Sequence, residues 1–143
     1  MRISTKGRYA LRLMLDLSAN NTGNPIRLRD VAERQQISEK YLEQIISILN
    51  KAGFVRSIRG PMGGYVLAGS PSDYTVGKIL RLTEGNLDPL ECVADETCCD
   101  REGSCVTRLV WKKLADAING VVDGITLEDL LDWKASMEGD YVI

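Results

Sequence analysis

Two short segments of helical apolar spacing, residues 27–36 and 38–51, are joined by a tight turn. A hairpin with a tip rich in glycine and proline follows at once, over residues 54–67. Farther on, residues 106–122 carry a long apolar stripe at helical spacing. These observations predict a mainly α (α+β) fold, a winged helix-turn-helix with a two-stranded wing and a long C-terminal helix. The expected organisation is a winged-helix unit over residues 1–84, a cysteine-bearing loop over 85–105 and C-terminal helices over 106–143.

Residues 4–20 read as the first helix, because Tyr9, Ala10, Leu13, Met14 and Leu17 recur at three- and four-residue spacing. Asn21-Thr22-Gly23-Asn24-Pro25 ends it. Leu28, Val31 and Ala32 give a short amphipathic helix over 27–36, and Tyr41, Leu42, Ile45, Ile46 and Leu49 carry the next one to residue 51. Ser38 is a good N-cap for that second helix, and Gly53 supplies a left-handed stop after it. Phe54-Val55-Arg56-Ser57-Ile58 and Tyr65-Val66-Leu67 read as strands around Arg59-Gly60-Pro61-Met62-Gly63-Gly64. Beyond them, residues 75–84 read as a short helix, 86–105 as a loop, 106–122 as a long helix and 127–134 as a final one. Fraying is expected after about residue 136.

The chain has 143 residues, 44% of them hydrophobic and 27% charged, which suits a globular domain. No apolar run approaches the ~20 residues of a membrane span, and the N-terminal stretch has no secretory h-region. A cytoplasmic chain with no membrane partner is therefore expected. Net charge is −2 but unevenly spread: residues 1–66 hold 11 Lys and Arg against 5 Asp and Glu, and residues 67–143 hold 7 against 15. One basic half suits a polyanion such as double-stranded DNA. There is no histidine, no nucleophile–base pair and no phosphate loop, so neither an enzyme nor a small-molecule substrate is expected.

In a helix-turn-helix the second helix enters the major groove through its N-terminal residues. Here the outward positions are Glu39, Lys40, Glu43 and Gln44, with Tyr41 near the entry. Gln44 can bond bidentately to adenine, Glu43 can accept from cytosine N4, and Lys40 can reach a phosphate or a guanine. A solvated helix face would present the same residue types. The wing is more telling: Arg59 at its turn suits a narrow minor groove, and the following glycines let the backbone come close.

Cys92, Cys98, Cys99 and Cys105 lie within 14 residues, and no cysteine lies elsewhere. In a reducing compartment such clustering points to metal or redox chemistry. Thiolates select zinc or iron–sulfur clusters, and the closely spaced pairs usual for zinc are missing. The residues themselves rank an iron–sulfur cluster first, a cluster-free thiol/disulfide switch second and zinc third.

Three stretches carry a family resemblance: residues 1–10, MRISTKGRYA; Ile37-Ser38 with Tyr41-Leu42-Glu43-Gln44; and Arg59-Gly60-Pro61-Met62-Gly63-Gly64-Tyr65. With Leu109-Val110-Trp111 and Ile125-Thr126-Leu127, the chain resembles the iron–sulfur cluster regulators called IscR from residue 1 to about residue 133. The resemblance implies a transcription regulator, most often a repressor, that forms a homodimer through the 106–122 helix and holds a [2Fe–2S] cluster beside it. A small electron-transfer or cluster-carrier protein is the remaining alternative. The implied DNA-contacting set is Ser38, Lys40, Tyr41, Glu43 and Gln44 on the helix, with Arg56, Arg59, Gly60, Pro61, Gly63 and Gly64 on the wing. Lys40 stands where the family commonly has a small hydroxyl residue, and Glu43 resembles the family residue that selects between promoter classes.

The cysteines depart from the family pattern of three with five residues between each, followed three residues on by a histidine. Two adjacent cysteines, Cys98 and Cys99, stand in place of one, and Arg108 occupies the histidine position. A related nitric-oxide-sensing branch borrows an acidic residue near the N-terminus, and the matching position here is Arg8. The extra cysteine is thus the expected fourth ligand, and a [4Fe–4S] cluster stays open beside [2Fe–2S].

Overall fold

The computed structural model describes residues 2–90, 93 and 105–139. Helix α1 (Thr5–Ala19) starts at Ser4, whose hydroxyl accepts from the Gly7 amide at 3.1 Å. Its inward face, Ala10, Leu13, Met14 and Leu17, is wholly buried and forms the centre of the main core. Each of the leucine and methionine side chains contributes roughly 1.5–3 kcal/mol of burial free energy. The remaining elements of the winged-helix body are assembled around this helix.

Helices α2 (Leu28–Gln35) and α3 (Glu39–Lys51) follow, joined by Gln36 in the left-handed region (φ 55°, ψ 47°) and by buried Ile37. Leu42, Ile45 and Leu49 of α3 are fully buried against α1. Strand β1 (Val55–Ile58) pairs antiparallel with β2 (Gly64–Leu67), in the register Val55 to Leu67 through Ile58 to Gly64. Gly53 adopts φ 78°, so the reversal that feeds α3 directly into β1 uses the glycine expected there. The chain is a winged helix-turn-helix with a two-stranded wing.

A single 3₁₀ turn (Pro71–Asp73) leads to α4 (Val76–Glu84), then come α5 (Arg108–Asp123) and α6 (Leu127–Gly139). The segment ahead of α6 returns to the body through Val76 N–H to Ile125 O (2.8 Å) and Leu127 N–H to Tyr74 O (2.9 Å). Leu127 is then fully buried in the same core as α1. A smaller apolar cluster, Val76, Leu80 and Leu87, receives Ile118, Val122 and Ile125 from the α5 side.

Two boundaries differ from the sequence expectation. Val106 and Thr107 form a turn, and α5 begins at Arg108. The last helix does not fray at residue 136 but runs to Gly139. Lys134, Ala135, Met137 and Glu138 are strong helix formers, and Lys134 pairs with Glu138 one turn on at 3.7 Å. Glycine, the first weak helix former after them, coincides with the end of the helix. Among the described residues no helix is long and apolar enough to cross a membrane.

Candidate nucleic-acid interface and cysteine segment

Because Leu42, Ile45, Ile46 and Leu49 face the core, helical periodicity turns Lys40, Glu43 and Gln44 outward, and all three are exposed. Ser38 begins the helix, its hydroxyl accepting from the Tyr41 amide at 3.1 Å. Its side chain therefore serves the backbone as a cap. Tyr41 is half-buried, edge-on to Tyr9 with ring centroids 5.7 Å apart. The Arg12 guanidinium lies 5.3 Å above the Tyr9 ring and donates to the Gln35 side chain (3.1 Å) and to the Gln35 carbonyl at the end of α2. The entry to α3 is thus stacked against α1 rather than held by its own turn alone.

A second tie fixes α2. Asp16 lies on the buried side of α1 with only 2% of its side chain exposed. Arg34 meets it with two bonds, Nη2 to Oδ1 at 2.7 Å and Nε to Oδ2 at 3.1 Å, and Gln35 Nε2 adds a third at 2.9 Å. The bond to Asp16 makes the Arg34 guanidinium hold its proton still more firmly. A planar fork on a carboxylate fixes angle as well as distance, so it sets how α2, and with it the turn into α3, sits on α1.

On the wing, Arg56, Arg59, Gly60 and Pro61 are exposed, and Gly63 and Gly64 are half-buried. Gly60 adopts φ 114° and its carbonyl accepts from the Gly63 amide at 2.9 Å, which closes the tip. Gly64 packs against the chain entering α2, where a Cβ would meet the Ile26 carbonyl. The Ile26 and Tyr65 backbones exchange bonds there at 2.9 and 2.8 Å. At the other end of β1 and β2, the Tyr74 hydroxyl donates to Phe54 O (2.9 Å) and accepts from Gly69 N–H (2.7 Å).

Of the four cysteines, Cys92, Cys98 and Cys99 lie outside the described residues. Cys105 is half-buried, with Sγ 3.2 Å from the Thr107 hydroxyl, and its carbonyl accepts from the Arg108 amide at 3.3 Å. Arg108, at the first turn of α5, is 8% exposed. Both flanks of the cysteine segment are tied to the body. On its N-terminal side, Glu84 Oε1 accepts from the Ser4 amide (3.1 Å) and hydroxyl (2.5 Å) at the start of α1. On its C-terminal side, α5 is joined to α4 where Arg81 donates to both Asp123 oxygens (2.5 and 3.0 Å) and to Asn119 (2.8 Å). That hydrogen-bonded pair holds the Asp123 carboxyl below its ordinary range.

The profile of Rrf2, described as an iron-dependent transcriptional regulator, matches residues 3–133. The chain belongs to the Rrf2 family. It is 41% identical over 142 residues to the HTH-type transcriptional regulator CymR of Bacillus subtilis (strain 168), covering 99% of this chain and 98% of that protein. The solved structure of B. subtilis CymR, described as the global cysteine regulator of that organism, superposes with a TM-score of 0.81 at 40% identity, over 93% of this chain and 98% of that one. The structure of T. potens IscR gives 0.75 at 42% identity, over 92% and 87%. These matches are to transcriptional regulators, and they span both an IscR and a CymR.

Within this Rrf2 chain, the residues that sequence reasoning passed over are supporting ones. Asp16 carried a visible signal, a carboxylate on the face occupied by Leu13 and Leu17. Arg34, Gln35, Arg12 and Glu84 carried none, because their partners lie 18 to 80 residues away.

Proposed function

We propose that this chain is a dimeric, DNA-binding transcription regulator whose DNA affinity depends on an iron–sulfur cluster held by the cysteines of residues 92–105. The observation that carries the DNA-binding half is the exposed polar face of α3, a helix whose entry stacks on α1 through Tyr41 and Tyr9 and whose end leads through Gly53 into a wing that presents Arg59. Gln44, Glu43 and Lys40 are placed to read or grip the major groove, with Ser38 and Tyr41 at the helix entry. Arg59 enters the adjacent minor groove, and Gly60, Pro61, Gly63 and Gly64 keep the tip slim enough for backbone approach, with Arg56 beside them. Dimerisation through residues 106–122 is supported by Leu109, Val110, Leu114 and Val121, 44–60% exposed along α5, and by exposed Val106 in the turn just ahead of it. An apolar stripe of that extent is costly in water, and a second copy of the same helix would cover it.

The donor set fits a thiolate-held cluster. Four cysteines supply the four soft ligands that [2Fe–2S] and [4Fe–4S] centres take, and Arg108, always protonated, supplies none. Cys105, three residues ahead of α5, and Cys92 with Cys98 and Cys99 would hold it. A cluster bound by thiolates alone would supply a one-electron centre of lower potential than one with histidine ligands. Glu84 at one end of the segment and Arg81–Asp123 near the far end of α5 are the chain's own means of passing a change in residues 85–105 to α1 and α4.

The test is anaerobic purification followed by iron and acid-labile sulfide counts and a visible spectrum. Stoichiometric iron and sulfide with visible absorption is expected. Substituting Cys98 and Cys99 by serine, singly, should show the loss in one or both. A colourless, iron-free protein overturns the cluster. A second reading, a cluster-free thiol/disulfide regulator, is supported by the similarity to CymR over nearly the whole chain. It predicts that colourless protein, with a reversible disulfide among the same cysteines.

A further inference from the structure

The wing is more firmly held than a hairpin of two four-residue strands would be by itself, since an isolated two-stranded ribbon is only marginally stable in water. Toward the tip end of β2 the Ile26–Tyr65 bridge adds the chain entering α2 beside the strand. At its tip there is a further tie. Arg27 occupies the N-cap position of α2, yet its side chain makes no cap bond. Its guanidinium reaches across and donates to the Pro61 carbonyl at 2.8 Å, 34 residues along the chain. Pro61 follows Gly60, which follows Arg59, and Gly60 with Gly63 closes the turn. Arg27 therefore links the wing tip to α2, the helix that Asp16 and Arg34 lock onto α1.

We propose that Arg27 is a positioning residue for DNA recognition, acting through Arg59: its bond to Pro61 holds the wing tip where Arg59 meets the minor groove. This rests on the reading of Arg59 as a minor-groove contact. A wing tip ordered before binding spares the ordering cost that a loose one would meet on the DNA. Arg27 also lies on the exposed surface, so the rival role is a direct phosphate contact. The two roles differ in how they combine with loss of Arg59. A residue that acts through Arg59 has nothing to act on once Arg59 is gone, whereas a phosphate contact adds its own loss regardless.

The experiment is a double-mutant cycle read by fluorescence anisotropy on a duplex that the wild-type chain selects from a random pool. Arg59→Ala is expected to weaken binding by about tenfold, and Arg27→Ala by about fivefold. In the Arg59→Ala background, Arg27→Ala should cost less than about twofold more. Arg27→Met, which keeps the aliphatic stem, should behave as Arg27→Ala does. Replacing A·T by G·C pairs in the minor-groove contact should matter less to Arg27→Ala than to the wild type, because the arginine that senses groove width is no longer held. Full additivity of the two single losses, an equal loss on both duplexes, wild-type affinity for Arg27→Met, or no loss for Arg27→Ala would each overturn the positioning role. No loss for Arg59→Ala would instead remove the minor-groove reading beneath it, so the two failures are distinguishable.

Discussion

Replacing Arg34 by alanine is expected to cost about 2–3 kcal/mol of folding stability, although Arg34 is a partly exposed residue on a short helix. The physical reason is what remains behind. Asp16 keeps only 2% of its side chain in contact with solvent, and two of its three side-chain bonds from α2 come from this guanidinium. Without it, Gln35 and Asn20 are left to serve a buried carboxylate. Removing one partner of a fully buried pair typically costs roughly 3–5 kcal/mol. The expected loss lies below that range because Arg34 retains 39% side-chain exposure, so water can enter when it is cut back. Urea unfolding should show a lower midpoint with an unchanged slope. Replacing Asp16 and Arg34 together by leucine should return most of the loss, since no stranded charge then remains. A single-mutant loss within ~0.5 kcal/mol, the usual range for surface substitutions, would contradict this assignment.

Gly64→Ala is expected to act on both stability and DNA affinity. The added Cβ would meet the Ile26 carbonyl oxygen and carbon and crowd the Arg27 amide, all of them backbone atoms that no rotamer change can move aside. The strand must therefore part from the 26–27 segment, breaking the two Ile26–Tyr65 bonds. Overpacking of this kind costs roughly 1–3 kcal/mol. The same displacement moves the wing tip, so affinity for a selected duplex should fall by about tenfold or more. Thermal melting and anisotropy read the two effects separately. Gly23→Ala offers the control: glycine there turns the chain, at φ 91°, and a Cβ meets nothing within 4 Å. It should cost some stability through backbone strain while leaving the wing in place.

What was legible in the sequence was whatever local chemistry determines. Apolar spacing in α1 and α3, the Ser38 cap, the Gly53 reversal and the glycine-rich wing all depend on residues within a few positions of each other. The end of α6 was not legible, because residues 134–138 have helix propensity and an i,i+4 pair but little apolar period to announce them. The ties that aim the candidate interface were not legible, since Asp16–Arg34, Arg12–Gln35 and Arg27–Pro61 come together only once α1, α2 and the wing have packed. A lone arginine in a sequence reads as a solvated charge until a tertiary partner is placed beside it. Cysteine chemistry reads directly because residue type sets ligand softness. The choice between neighbours such as Cys98 and Cys99 depends instead on backbone geometry, which spacing does not encode.

The most direct test of a DNA-binding regulator governed by its cysteine segment is one paired titration. Anaerobically purified protein and the same protein stripped of iron by a chelator under reducing conditions are titrated, at fixed salt, onto a duplex selected by the wild type. The two dissociation constants should differ by at least about fivefold, the lower bound of usual allosteric coupling. The difference should vanish when Cys92, Cys98, Cys99 and Cys105 are replaced together by serine. Superimposable isotherms for the two preparations, each with tight binding, would show that the cysteine segment does not govern DNA affinity and would contradict the proposed function.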